Sequence, residues 1–200
     1  MLRYNTRRGE KKQYEAYRFS PMTLTPARLK ELEEVAENAI RLRRQGHPDP
    51  LERRFDVAPA VALMIRGRVS AAPNLRHEGR RVSGLFMPGG AFPQIWFEAY
   101  EPPRRQRFTV AHELGHSYLD PARQPQCDPS QVDVDPDSSH GGQDVRESDA
   151  DAFAAAFLIP ADLLRADVKQ FGRCAAFLAD LYDVSEPTMR RRLRVLEPFV

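Results

Sequence analysis

The segment His112-Glu113-Leu114-Gly115-His116 decides how the rest of the chain is read. Residues four apart on a helix lie one above the other, so its two imidazoles face the same way and can grip one metal ion. Glu113 lies between them, where it can reach a water on that ion. Pro102-Pro103 precedes the motif and Asp120-Pro121 follows it, which predicts a helix over 104–119. Histidines at this spacing with an intervening glutamate are the ligand-and-base pattern of a zinc peptidase.

A hydrolytic zinc ion usually takes three protein ligands and keeps one position for water. His112 and His116 supply two. A metzincin would continue as HExxHxxGxxH, but Leu119 and Ala122 stand at the two required positions and exclude it. The other common source is a glutamate on a following helix, and Glu147 fits. It opens Glu147-Ser148-Asp149-Ala150-Asp151, at the start of a helix expected over 148–159. One turn separates Glu147 from Asp151, so the first can bind metal while the second accepts an N–H bond from a ligand histidine and fixes its tautomer. Ala150 is small where two helices must approach closely. His140, in a glycine- and serine-rich stretch, is a rival third ligand. His47 and His77 have no partner pattern. On this reading the ion acidifies its water and polarises the scissile carbonyl, and Glu113 moves the proton from water to the leaving amine. Manganese or another divalent ion can occupy a site of this type. The oxyanion partner stays open between Tyr118, Tyr182 and a loop residue.

Outward from the motif, residues 68–100 read as β structure. Strands are expected over 81–87 and 94–100, with Pro88-Gly89-Gly90 as the turn between them. If the second is an edge strand, Gln94, Ile95, Trp96 and Phe97 can pair with an extended peptide substrate. Upstream, Thr25-Pro26 reads as an N-cap with proline at the first helical position. Leu29, Leu32, Val35, Ala36, Ala39, Ile40 and Leu42 follow at helical spacing, and Gly46 with His47-Pro48-Asp49-Pro50 ends that helix. Residues 57–65 fit a short buried helix or a strand, and periodicity does not separate the two. Downstream, Pro, Asp, Ser, Gln and Gly make 120–146 a long loop. Short helices are expected from 161 to about 170, over 173–182 and over 185–196. The whole is an α+β chain: a small, mostly antiparallel sheet packed on the motif helix, with a helical bundle at the C-terminal end, about 161–197. Residues 1–24 read as a flexible basic arm and 25–200 as a single domain.

The formal net charge of +2 conceals a polar distribution. Residues 1–18 carry six basic and two acidic side chains, whereas 120–151 carry nine acidic and two basic ones. Basic ends can touch nucleic acid or an acidic partner, or lie solvated. The N-terminus lacks an apolar signal core and no run approaches a membrane span, so the expected compartment is the cytoplasm, with no membrane partner. Two cysteines, Cys127 and Cys174, make no disulfide framework. Cys127 lies between His116 and Glu147 and reads either as an incidental loop cysteine or as a redox-sensitive mask whose thiolate reaches the open metal position.

Two longer blocks carry a family resemblance. Arg105-Gln-Arg-Phe-Thr-Val-Ala-His-Glu-Leu-Gly-His116 resembles the RxRFTxAHELGH signature of the ImmA/IrrE zinc metallopeptidases. The segment from Glu147 to Pro160 resembles that family's ExxA(N/D)xFAxxLLMP block, and Val184-Ser185 with Arg192-Leu193 is similar to its C-terminal VSxxxxxxRL element. The resemblance spans about residues 80–196. It implies a zincin-like, gluzincin-type site: zinc on His112, His116 and Glu147, and Glu113 as general base. It further implies an intracellular bacterial or phage-borne endopeptidase whose partner is an Xre-type helix-turn-helix repressor encoded nearby, cleaved under stress or in a mobile-element or toxin–antitoxin setting.

Two rival functions remain at this level. Residues 178–193 resemble a helix-turn-helix, with Ser185 capping a basic second helix and Thr188, Arg191 and Arg192 available to a DNA groove. Against it, Met189, Leu193 and Leu196 are spaced to pack inward. The other rival is a toxin–antitoxin interaction protein whose zinc site is not used for proteolysis. Glu113 weighs against that, since a purely structural site needs no base.

Overall fold

The computed structural model describes residues 24–45, 53–119, 126–129 and 141–197, with backbone alone for 126–129 and 141–144. The expected basic arm, the helix stop at Gly46, His47 and the rival ligand His140 therefore fall outside the described residues.

Helix α1 (Pro26–Gln45) starts where the sequence placed it. Thr25 Oγ1 accepts from the Arg28 N–H at 3.2 Å, and the Thr25 carbonyl accepts from Leu29. Its buried face is Leu32, Ala36, Ala39, Ile40 and Arg43, spaced for one side of a helix. Leu42, expected on that face, is exposed. Arg43 takes the inward place instead, its guanidinium 3.9 Å from the Phe55 ring centre, so a cation–π contact accompanies its burial. The ambiguous segment is helix α2 (Val57–Met64), which buries Val57 and Val61.

The strands are β1 (Arg68–Ala72), β2 (Arg76–His77), β3 (Arg80–Met87), β4 (Gln94–Glu98) and β5 (Gln126–Pro129). They form one sheet in the order β1-β4-β3-β2, with β5 also pairing β3. Only β1 with β4 is parallel; the other three pairings are antiparallel. Glu78 and Gly79 turn β2 into β3 with φ of 50° and 80°, the paired positive values a two-residue hairpin requires. Strand β5 arises inside the stretch expected to be loop. Four residues without alternation carry no strand signal, and pairing with β3 supplies their order.

Helix α3 (Pro103–Leu119) packs beneath β3 and β4. Arg107 fastens it, donating to the Phe55 and Asp183 carbonyls at 2.6 and 3.2 Å. The following helices are α4 (Gly141–Leu158), α5 (Ala161–Phe171), α6 (Ala175–Tyr182) and α7 (Glu186–Val195). Helix α4 packs against α1, α3 and α7, and residues 153–159 are buried on all sides. Phe153 stacks on Tyr118 and Phe157, and Phe157 meets Phe55 edge-on at 5.5 Å. No helix among the described residues is long and apolar enough to cross a membrane.

Candidate metal centre

Two helices build the site. On α3, residues 109–116 are all buried, so His112, Glu113 and His116 face protein rather than water. Helix α4 begins at Gly141, so Glu147 and Asp151 stand well inside it. An acidic side chain merely favouring a helix N-terminus belongs in the first turn; Glu147 lies beyond it.

The helices meet closely because of two small residues. A Cβ on Gly115 would lie 3.0 Å from Phe153 Cδ1, 3.2 Å from Ala150 Cα and 3.3 Å from the Ala150 carbonyl oxygen. The expected role of Ala150 in close approach is seen, and Gly115 is its counterpart on α3. That contact sets the separation between the histidine pair and Glu147.

The three side chains converge. His116 Nε2 is 3.0 Å from His112 Nε2, His112 Nε2 is 3.1 Å from Glu147 Oε2, and His116 Nε2 is 3.5 Å from Glu147 Oε1. One ligand atom from each residue lies within 4.8 Å of the others. A tetrahedral ion with bonds of about 2.0–2.1 Å has ligand–ligand edges of about 3.3–3.4 Å, so these separations fit one. His112 Nδ1 lies 3.0 Å from Asp151 Oδ1, which assigns the ring proton to Nδ1 and leaves Nε2 for the cluster. Electron-rich atoms packed this tightly suit a shared cation. A proton bridges one pair at a time, whereas a metal ion satisfies all three.

The carboxylates are held ionised. Burial pushes Glu147 up, but the adjoining His112 and His116 rings outweigh it and bring its pKa down to about 2. Burial likewise opposes ionisation of Asp151, and His112 with Arg191 overcomes it to give a net lowering. Glu113 is fully buried beneath β3. A Cβ on Gly84 would come within 2.6 Å of Glu113 Oε1 and 2.5 Å of Thr109 Cγ2, so glycine lets the strand lie directly over the carboxylate.

Residues 71–194 match the Peptidase_M78 family, an IrrE N-terminal-like domain. The chain belongs to this family. An M78 domain carries the chemistry of a metallopeptidase of the ImmA/IrrE type, and the described His-His-Glu cluster lies within the matched span. The match starts in β1, so α1 and α2 precede it, although α1 packs on the helix that bears Glu147. No curated protein matches the chain.

Several expectations need correction within this M78 frame. Strand β4 is not an edge. Gln94, Ile95, Trp96 and Phe97 pair with Arg68, Val69, Ser70 and Ala71 of β1 on one side and with Met87, Phe86, Leu85 and Gly84 of β3 on the other. Its backbone bonds are used inside the sheet, so a peptide has no ladder to join there. The reading of α7 as a recognition helix also loses its arginines. Arg191 binds Asp151, while Arg192 is buried, pairs with Glu33 and donates to the Ile159 carbonyl at 3.0 Å. Ser185 does cap α7, and Met189, Leu193 and Leu196 pack inward. Tyr182 is buried and donates to Asp167 at 2.6 Å, so its hydroxyl serves the core. Cys127 stands opposite Leu85 in the β5 register.

Sequence reasoning missed Gly84, Gly115, Arg28 and Arg191. Arg28 donates to Asp149 at 2.6 Å and anchors α4 to α1. The only local signal was Gly115 inside the motif, where glycine breaks an otherwise favourable helix.

Proposed function

We propose that this M78 domain is a zinc-dependent endopeptidase that cleaves a helix-turn-helix repressor of the Xre type, relieving repression under stress or in a mobile-element or toxin–antitoxin setting in the cytoplasm. His112, His116 and Glu147 hold the ion, Asp151 orients His112, and Glu113 is the general base. The observation that carries this reading is the convergence of two Nε2 atoms and a carboxylate at 3.0–3.5 Å, beside a buried glutamate from the same helix. Two histidines and one glutamate suit a catalytic zinc ion, which keeps a further position for water, and manganese is the alternative occupant.

The bound ion supplies Lewis acidity toward water and the scissile carbonyl. The chain does the rest. Asp151 keeps the His112 proton on Nδ1, so Nε2 stays a lone-pair donor. Glu113 accepts the proton of the attacking water and returns it to the departing amine nitrogen. Gly84 lets β3 lie directly over that carboxylate, which excludes bulk water from one side of it.

The test incubates the zinc-loaded protein with candidate Xre-type repressors. Wild type should cut one of them, while Glu113→Gln should bind zinc equally and leave it intact. Equal cleavage by the two proteins would refute the assigned base.

A further inference from the structure

We infer that Arg191, on α7, is a positioning residue for the metal centre: it holds Asp151 in place for His112, so the seating of the C-terminal helix sets metal affinity. The inference rests on the metal reading of the cluster.

Asp151 uses its two oxygens in different directions. Oδ1 meets His112 Nδ1 at 3.0 Å, and Oδ2 meets Arg191 Nη1 at 3.1 Å. A carboxylate held by one oxygen alone can pivot about its own bond. Held by both, it fixes the plane in which His112 must donate, and therefore the direction of His112 Nε2. Asp151 lies on α4 and His112 on α3, whereas Arg191 arrives from a third helix, 40 residues beyond Asp151.

The position of Arg191 is itself determined. Met189 and Leu193 on α7 are buried, and the adjacent Arg192 is locked between Glu33 of α1 and the Ile159 carbonyl. Helix α7 therefore cannot slide without breaking buried polar contacts. Arg190 is the contrast. It sits one residue earlier, 64% exposed in its side chain, and among the described residues pairs within its own helix with Glu186.

Two effects of Arg191 oppose each other. Its charge repels a cation in the site, and its hydrogen bond orients the ligand set. The Asp151 carboxylate stands between the guanidinium and the ligands and offsets that charge, so orientation dominates. Partners directly behind metal ligands change affinity by about 10- to 100-fold. Arg191 is one contact further out, so we expect about 3- to 10-fold.

The experiment is a competitive zinc titration against a chromophoric chelator, on full-length metal-free protein, with thermal unfolding of the same samples. Arg191→Ala should bind zinc about 3- to 10-fold more weakly, with its metal-free unfolding midpoint close to wild type. Arg191→Lys should recover part of the loss, and Arg190→Ala should match wild type. In an Asp151→Asn background, Arg191→Ala should add nothing. Unchanged or tighter zinc binding by Arg191→Ala overturns the inference while leaving the metal reading intact. So does an equal loss in the Asp151→Asn background, which would make Arg191 a general fastener of α7. If Arg191→Ala does not fold, Arg191→Gln carries the same comparisons. Absence of zinc binding by wild type removes the metal reading and this inference together.

Discussion

Gly115→Ala tests whether helix separation sets the site. The added Cβ would lie 3.0 Å from Phe153 Cδ1, 3.2 Å from Ala150 Cα and 3.3 Å from the Ala150 oxygen. Carbon atoms rest best about 3.5–4.0 Å apart, so α3 and α4 must part by several tenths of an ångström. Alanine in a helix interior is otherwise better than glycine by about 1 kcal/mol. Overpacking a tight core costs about 1–3 kcal/mol. Two of the three close atoms belong to the Ala150 backbone, which has no rotamer to change, so packing wins by about 0–2 kcal/mol. The metal site should suffer more than stability. His116 follows Gly115 directly, Glu147 lies one turn before Ala150, and ligand distances tolerate only about ±0.2 Å. Zinc affinity should fall by about 10-fold or more, the scale on which supporting residues act. Urea unfolding of the metal-free protein and competitive zinc titration measure the two effects separately. Gly89→Ala is the control, because nothing lies within 4 Å of the Cβ it would add. If Gly115→Ala binds zinc as tightly as wild type, helix approach does not set the ligand geometry and the argument fails.

Gly84→Ala should lower kcat/KM for repressor cleavage by about 100-fold, the cost of misplacing a reacting group by about an ångström. Zinc affinity measured on the same protein should hold, because the intruding Cβ meets Glu113 and Thr109 rather than a ligand. The Asp167 cluster provides a stability test remote from the cleavage chemistry. Burial opposes its ionisation, but Arg53 and Tyr182 outweigh burial and hold its pKa below the usual value. Its stabilisation is therefore complete above the unfolded value of about 3.9 and is lost as pH falls through the lower folded value. Asp167→Asn should flatten that acid limb in denaturant melts from pH 2 to 5, and Tyr182→Phe should cost about 1–3 kcal/mol at neutral pH with zinc binding unchanged.

The helices were legible where the signal is local. Thr25-Pro26 marked the start of α1, the Pro102-Pro103 pair marked α3, and Ser185 marked α7, each through a cap or a fixed proline dihedral. The loop reading of 120–146 failed at both ends. Strand β5 is defined by its partner β3, and α4 runs seven residues further back than its apolar period suggested. Charge on a helix face was misleading in the same way. Arg191 and Arg192, which the sequence leaves available to a DNA groove, are turned toward Asp151 and Glu33, and Arg43 is turned toward Phe55. A linear pattern records which residues share a face and says nothing about which element will cover it.

The sequence by itself determined that two imidazoles and a base share one helix face, because helical geometry relates residues four apart whatever surrounds them. It also offered Glu147 and Asp151, by type and spacing on a second helix. Tertiary structure decided the rest. It brought Glu147 to 3.1 Å from His112 across a contact that only Gly115 and Ala150 allow. It closed β4 inside the sheet and delivered Arg191 from the far end of the chain to the back of Asp151. Those outcomes depend on how helices and strands pack against one another, and packing joins residues whose separation in sequence carries no local periodic signal.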